Sequence, residues 1–305
     1  MLYGCRKASQ YCATTIFARY EQQGVSTLTR YPIQELFDLT GQVALVTGAS
    51  NLGYDAAEAL IELGAVVYLT RRNADEAVRT ASRLAGATGG DARGIALEAT
   101  DERDWKRAVD AIVKECGKLD ILINNAGGRR VGSEPPAGLT DDLIERFLEA
   151  REVDDWQYTL ESNLTSVFLG CRTVVPHMKG RHSGKIVNIA SIDGIVGRDL
   201  RIYPGTGLSP TVPDYLAGKA GVIGLTRGLA AVLAPVGIYV NSISPGGFYR
   251  GQPDEFVNRY SRLVPLGRMG RDRIDLKGAI AYLASSASDY TVGHNLVVDG
   301  GFSAW

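Results

Sequence analysis

A tyrosine and a lysine four residues apart, Tyr215 and Lys219 in the run D-Y-L-A-G-K-A-G, share one face if that run is helical. A free phenol titrates at about 10 and carries protons poorly near neutrality, but a fixed ammonium beside it favours the phenolate and draws that value down. Such a pair can serve as a general acid or base. A chain with 14 tyrosines meets this spacing by chance, and two solvated residues on a helix surface would look the same. The rest of the sequence decides between the two.

The elements that would position the pair begin at a glycine-rich turn. Gln42 to Thr47, Q-V-A-L-V-T, is the short apolar run expected of a buried parallel strand, and it leads straight into G-A-S-N-L-G, residues 48 to 53. Ala56, Ala57, Ala59, Leu60 and Leu63 then mark one apolar helical face, closed by Gly64. Strand, glycine turn and helix in this order let the backbone approach a pyrophosphate, with free N–H groups and the positive end of the helix dipole facing it. A tight turn with no ligand remains open for this motif alone.

With these motifs in sequence order, the chain resembles the short-chain dehydrogenase/reductase family over about residues 36 to 303. T-G-A-S-N-L-G is similar to that family's T-G-x-x-x-G-x-G, N-N-A-G at 124 to 127 matches its N-N-A-G, and Pro245-Gly246 and Asp299-Gly300-Gly301 match later landmarks. Asn163, Ser191, Tyr215 and Lys219 fall where the family's catalytic Asn, Ser, Tyr and Lys stand. The resemblance implies hydride transfer between a nicotinamide and a carbonyl or secondary alcohol carbon. Tyr215 would pass the proton, Ser191 would bond the same substrate oxygen, Lys219 would hold the nicotinamide ribose and lower the tyrosine's pKa, and Asn163 would anchor a water chain to solvent. One departure stands out: the glycine turn is a residue short, and Asn51 occupies the place of the middle glycine. Asn tolerates left-handed backbone better than most residues, so a rearranged phosphate turn is expected. The cofactor would rest on Gly48, Ser50, Asn51, Leu52 and Gly53, on Asn124, Asn125, Ala126 and Gly127, and on Pro245 and Gly246, with Glu98 where the family has an Asp near the adenine.

Cofactor choice is written at the end of the second strand, where an acid accepts hydrogen bonds from a free ribose 2′-hydroxyl. Thr70 stands there, followed by Arg71 and Arg72. Guanidinium groups in place of a carboxylate favour a 2′-phosphate through charge-assisted bonds, so NADP is expected ahead of NAD. The alternative is two solvated arginines at a helix start.

A chain of 305 residues with 45% hydrophobic content can bury one large core, and strands alternating with helical patterns imply a doubly wound, Rossmann-type α/β fold. Strands are expected at Val66 to Thr70, Gly94 to Leu97, Leu119 to Ile123, Lys185 to Ile189, Ile238 to Ile243 and Leu296 to Val298 after the first, giving a parallel seven-stranded sheet with helices on both faces. Residues 36 to 305 form one catalytic domain on this reading. Residues 1 to 35 are an extension, with organelle targeting as a lesser possibility. The net charge of -1 offers no footprint for nucleic acid, and no apolar stretch looks long enough to span a bilayer. Cys5, Cys12, Cys116 and Cys171 are scattered, and His177, His182 and His294 lack partners at ligand spacing, so neither metal nor disulfide scaffold is expected and the default setting is a reduced, cytoplasmic one.

Two segments exceed the family's usual spacing, Gly128 to Asp155 and Arg198 to Asp214, and both follow carboxyl ends of strands, where they would shape the substrate mouth. In the first, Thr140 would cap a short helix bearing Asp141 and Asp142. Arg129, Arg130, Asp193, Arg198, Asp199, Arg201, Tyr249 and Arg250 make a polar set for a pocket that is usually apolar, pointing to a sugar-like or acidic small molecule. The alternative is a 3-oxoacyl thioester on an acidic carrier protein, and a non-catalytic cofactor sensor on the same fold comes third. The resemblance also implies a homotetramer, with a dimer second, packed through the helices around Trp156 to Pro176 and Tyr215 to Leu233. Ala217, Gly218, Ala220, Gly221 and Gly224 would allow the close approach.

Overall fold

The computed structural model describes residues 31–128, 145–149 and 151–305. Two units divide the chain, Met1–Leu36 and Phe37–Trp305. The described part of the first is the start of a five-residue helix, Ile33–Phe37, where the Glu35 N–H donates to Pro32 O at 3.0 Å.

The second unit is built on parallel strands. β1 (Val43–Val46), β2 (Val66–Arg71), β3 (Ala92–Ala96), β4 (Ile121–Asn124), β5 (Gly184–Ile189) and β6 (Ile238–Pro245) join β9 (Asn295–Val298) in the order β3-β2-β1-β4-β5-β6-β9. All seven expected strands are present. Register places Val46 opposite Leu69 on one side and Ile123 on the other. The strand order reverses between β1 and β4, and the crevice beyond their carboxyl ends is where doubly wound folds bind ligands. A separate two-residue ribbon pairs β7 (Phe248–Tyr249) with β8 (Gly270–Arg271).

Period-two alternation explains why both faces are covered. Ala44, Val46, Val67, Leu69, Ile121 and Ile123 point to one side, where they meet helices α1 (Leu52–Glu62), α2 (Ala74–Thr88) and α8 (Lys277–Ala284). Their neighbours Val43, Leu45, Tyr68, Leu122 and Ile186 point to the other, against α3 (Glu102–Cys116), α5 (Ser166–Arg181) and α6 (Pro213–Leu233). A shorter helix, α4 (Val153–Leu160), precedes α5, and α7 (Asp254–Arg262) follows β7. By length and composition alone, Pro213–Val236 would cross a membrane, contrary to the expectation that no apolar stretch is long enough. Its apolarity has another use: Val222, Ile223, Ala230 and Leu233 are buried in the layer beneath the sheet.

Candidate active site

The glycine turn is held by its neighbours' side chains. The Gly48 N–H donates to Thr70 Oγ1 at 3.1 Å. Thr47 Oγ1 accepts from the Asn125 and Ala126 N–H groups, both at 3.0 Å, and Asn125 Nδ2 donates back to Gly48 O at 2.8 Å. The first glycine motif and N-N-A-G are thereby stitched into one surface. Thr70 is buried and its hydroxyl supports the turn, a job that its position at the strand end did not suggest. Asn124, expected to line the cofactor's other side, does not: as the last residue of β4 it points into the core, where Nδ2 bonds Asn188 Oδ1 at 2.9 Å.

Asn51 adopts φ 51° and ψ -121°. This is the first central position of a type II′ turn, closed by the Gly53 N–H to Ser50 O bond at 3.0 Å. The positive φ was expected, but the ψ lies in a region that belongs to glycine and not in the left-handed helical well. Gly53 is not a lining residue. It is buried, and a Cβ there would overlap Gly48 O and come within 2.5 Å of Asn125 Nδ2. Its role is to let the turn close.

A cleft at the carboxyl ends of the strands is lined by Ser50, Asn51, Leu52, Asn125, Gly127, Pro245 and Gly246 together with Asn163, Ser191, Tyr215 and Lys219. All four residues expected to be catalytic thus meet the phosphate turn in one space. Lys219 is buried, donates from Nζ to Ile189 O at 2.8 Å, and lies 5.6 Å from the Tyr215 ring centroid. Burial pushes its pKa down to about 8. Ser191 follows β5 and caps a single 3-10 turn, Ile192–Gly194, its Oγ accepting from the Asp193 N–H at 3.1 Å. Gly194 lets this turn touch α6, because a Cβ there would lie 2.7 Å from the Lys219 carbonyl carbon. The serine is therefore fixed to the helix that carries tyrosine and lysine.

Asn163 lies in a π-helical turn, Glu161–Thr165, between α4 and α5, a distortion common at functional sites. Its Nδ2 donates to Thr159 O at 2.9 Å and Gly128 O at 2.8 Å, while Oδ1 is buried without a partner. Gly218 and Gly221, expected to face a second subunit, instead admit this turn: Cβ atoms there would meet Asn163 Cβ at 3.4 Å and Leu164 Cδ2 at 2.7 Å.

A second cleft continues past the turn, lined by Gly48, Ser50, Thr70, Arg71, Arg72, Glu98, Asn125, Ala126 and Gly127, with Tyr158 and Ser162 from beyond the first inserted segment. Sequence reasoning missed these last two, although Ser162 adjoins the predicted Asn163. No carboxylate stands at the end of β2, and Arg71 Nε is buried without a hydrogen-bond partner. An orphaned guanidinium donor beside the glycine cradle suits a phosphorylated dinucleotide.

The polar set assigned to the substrate pocket divides. Asp193 is buried and pairs with the partly buried Arg198, Nε to Oδ1 at 3.0 Å and Nη2 to Oδ2 at 2.9 Å, with the guanidinium stacked 5.7 Å from the Tyr260 ring and 5.8 Å from that of Phe302. They brace the second inserted segment against an apolar cluster of Ile202, Tyr203, Phe256 and Tyr260. Asp199 and Arg201 pair at 2.8 Å away from the cleft lining. Arg250 does line it. Arg129, Arg130, Thr140, Asp141 and Asp142 lie outside the described residues. Where that segment re-emerges, Arg151 Nη2 donates to the fully buried Asp214 Oδ2 at 2.6 Å, tying it to the start of α6 one residue before Tyr215.

A doubly wound sheet, a glycine turn at its switch point and a helix bringing a tyrosine and a buried lysine to the same cleft define a dinucleotide-dependent oxidoreductase. Residues 46–303 match the family described as enoyl-(acyl carrier protein) reductase. The chain is 33% identical to the 3-oxoacyl-(acyl-carrier-protein) reductase of Vibrio harveyi, over 87% of this chain and 98% of that one. It is 36% identical to the 3-alpha-(or 20-beta)-hydroxysteroid dehydrogenase of Mycobacterium bovis, over 86% and 90%. The crystal structure of a gluconate 5-dehydrogenase from Burkholderia cenocepacia, in complex with NADP and tartrate, superposes with a TM-score of 0.77 at 32% identity, covering 90% of this chain and all of that one. The chain belongs to the short-chain dehydrogenase/reductase family and is an NAD(P)-dependent enzyme.

Proposed function

We propose that this enzyme moves a hydride between NADP(H) and a carbonyl or secondary alcohol of a polar, sugar-like or acidic small molecule. The observation that carries the reading is the single cleft in which Asn163, Ser191, Tyr215 and Lys219 adjoin the glycine turn. When bound, the dinucleotide supplies the hydride chemistry. The chain's part is positional and protonic. Ser191 donates to the substrate oxygen, since its own Oγ already accepts from the Asp193 N–H. Tyr215 gives or takes the proton at that oxygen. Lys219, cationic below about pH 8, favours the phenolate and holds the nicotinamide ribose. The unpartnered Asn163 Oδ1 supplies an acceptor for a water that carries protons on towards solvent.

Arg71 supports the choice of NADP, as does the NADP in the Burkholderia structure. The same structure's gluconate 5-dehydrogenase activity and its tartrate support a hydroxy-acid substrate. Asp193 and Arg198 neutralise each other, so that pair adds no support to it from within this chain. The second reading, reduction of a 3-oxoacyl thioester, is favoured by the Vibrio relative. We take residues 1 to 35 as an extension to one catalytic domain and the compartment as cytoplasmic, with Cys116 and Cys171 both free. A homotetramer is supported by exposed Trp156 and Phe168 and by the small residues Ala217, Ala220 and Gly224 exposed along α6.

Tyr215→Phe tests the reading directly. Loss of the hydroxyl with retention of the ring should leave dinucleotide affinity within a few-fold while turnover falls by ~10²-fold or more, the contribution of one general acid. Turnover within a few-fold of the parent removes Tyr215 from the mechanism.

A further inference from the structure

Besides Lys219, Arg250 is the cationic side chain that lines the catalytic cleft among the described residues. It stands five residues beyond Pro245, just past the short β7 strand. Its main-chain N–H donates to Gln252 Oε1 at 2.6 Å, and Gln252 Nε2 returns to Phe248 O at 2.9 Å, so the loop is closed on itself. The guanidinium is fixed from three sides. Nε and Nη2 both reach Asp272 Oδ1, at 2.8 and 2.7 Å, the plane lies over Phe248 at 6.0 Å from its centroid, and Nη2 is 3.9 Å from Asp55 Oδ2. Nη1 has no partner among the described residues.

Asp55 locates this group. It is 1% exposed in the first turn of α1, the helix that begins directly after the shortened glycine turn. A buried carboxylate there opposes the binding of an anion that the helix N-terminus would otherwise welcome. Burial pushes its pKa up, and Arg250 is among the charges that pull it back. Two of the turn's donors are spent within it: the Ser50 N–H on Gly48 O at 2.7 Å and the Gly53 N–H on Ser50 O at 3.0 Å. A site that must hold two negative phosphates thus has one residue fewer in its cradle, an acid behind it, and one preoriented guanidinium over the same helical turn.

We propose that Arg250 is a cofactor-binding residue, its guanidinium donating to the diphosphate of the dinucleotide and making up for the missing residue of the glycine turn. The inference rests on the reading of the cleft as a nicotinamide dinucleotide site. A planar fork with its orientation fixed by Asp272 and Phe248 loses little freedom on meeting a phosphate. The proximity to Asp55, which belongs to the phosphate-facing helix, favours diphosphate over substrate as the anion.

Equilibrium dissociation constants for NADPH, NADH and 2′-AMP, measured by fluorescence or calorimetry on the full chain and on Arg250→Ala, Arg250→Gln and Arg250→Lys, test it. The 2′-AMP fragment keeps the adenosine 2′-phosphate and lacks the diphosphate. Arg250→Ala and Arg250→Gln should weaken NADPH and NADH alike by about tenfold or more and leave 2′-AMP unchanged, with Arg250→Lys in between. The Gln variant, with its similar shape and polar tip, serves if the Ala variant does not fold. Unchanged dinucleotide affinity together with a raised substrate KM overturns the proposal and makes Arg250 a substrate residue. Failure of the unaltered chain to bind either dinucleotide would instead bring down the reading of the cleft itself, and this proposal with it.

Discussion

Lys219→Met should change the pH dependence of stability in a way that follows from one buried charge. Among the described residues Lys219 has a single hydrogen bond, to Ile189 O, and burial lowers its pKa from 10.5 to about 8. At about 1.4 kcal/mol for each tenfold change in proton affinity, the buried ammonium opposes folding by about 3 kcal/mol wherever it is charged in both states. The sign follows from proton counting. Below pH 8 the folded and unfolded chains both hold the proton and the full penalty applies. Between about 8 and 10.5 the unfolded chain holds a proton that the folded chain has released, so stability rises with pH, and above that window the penalty is gone. Methionine has no such transition. The Ile189 carbonyl that it leaves without a donor costs about 1 to 3 kcal/mol at every pH and cancels from the slope. Urea unfolding followed by circular dichroism at pH 7 and pH 10, with Tyr215→Phe as the common background so that the neighbouring phenol does not contribute, should therefore show the lysine protein gaining about 2 to 3 kcal/mol on the methionine variant. Parallel profiles would refute the buried-ammonium account, and would mean that solvent or a counter-charge reaches Lys219.

Arg71→Ala should raise the KM for NADP(H) by about tenfold or more, the worth of a charge-assisted contact, and leave that for NAD(H) nearly unchanged; equal effects on both would show that Arg71 does not meet a 2′-phosphate. Asn51→Gly should release part of the ~1 to 3 kcal/mol stored in a backbone at φ 51° and ψ -121° and raise the melting temperature by a few degrees, while Asn51→Ala should lower it. Identical melting of the two variants would show that the turn is not strained.

The sheet was legible because each buried parallel strand is a continuous apolar run whose alternate residues serve opposite layers, as Val43 and Leu45 do against Ala44 and Val46. Only edges moved. β3 begins at Ala92 and not at Gly94, because an edge strand half-buried along its whole length has no apolar boundary to announce it. Tyr215, Lys219 and the turn glycines were legible for a related reason: their spacing is set by local geometry, which the sequence carries within a few residues.

What stayed hidden depends on closure between distant segments. Asp193 and Arg198 sit beyond a strand's carboxyl end and look like pocket groups. Whether they face a ligand or each other is decided by Tyr260 and Phe302, which lie more than 60 residues away and roof the pair into the core. Gly218 and Gly221 look like an intersubunit face until the π-turn of Asn163 and Leu164 takes the space. The same closure gives Arg250 its meaning. A shortened turn is visible in the sequence, and so is an arginine after Pro245-Gly246, but the contact that relates them runs through Asp55 and Asp272, residues 217 positions apart brought to one guanidinium. Charge compensation at a binding site is therefore a property of the folded charge set. A chain whose phosphate turn is a residue short can recover the anion's stabilisation from a side chain nearly 200 residues later, provided the fold delivers that side chain already oriented.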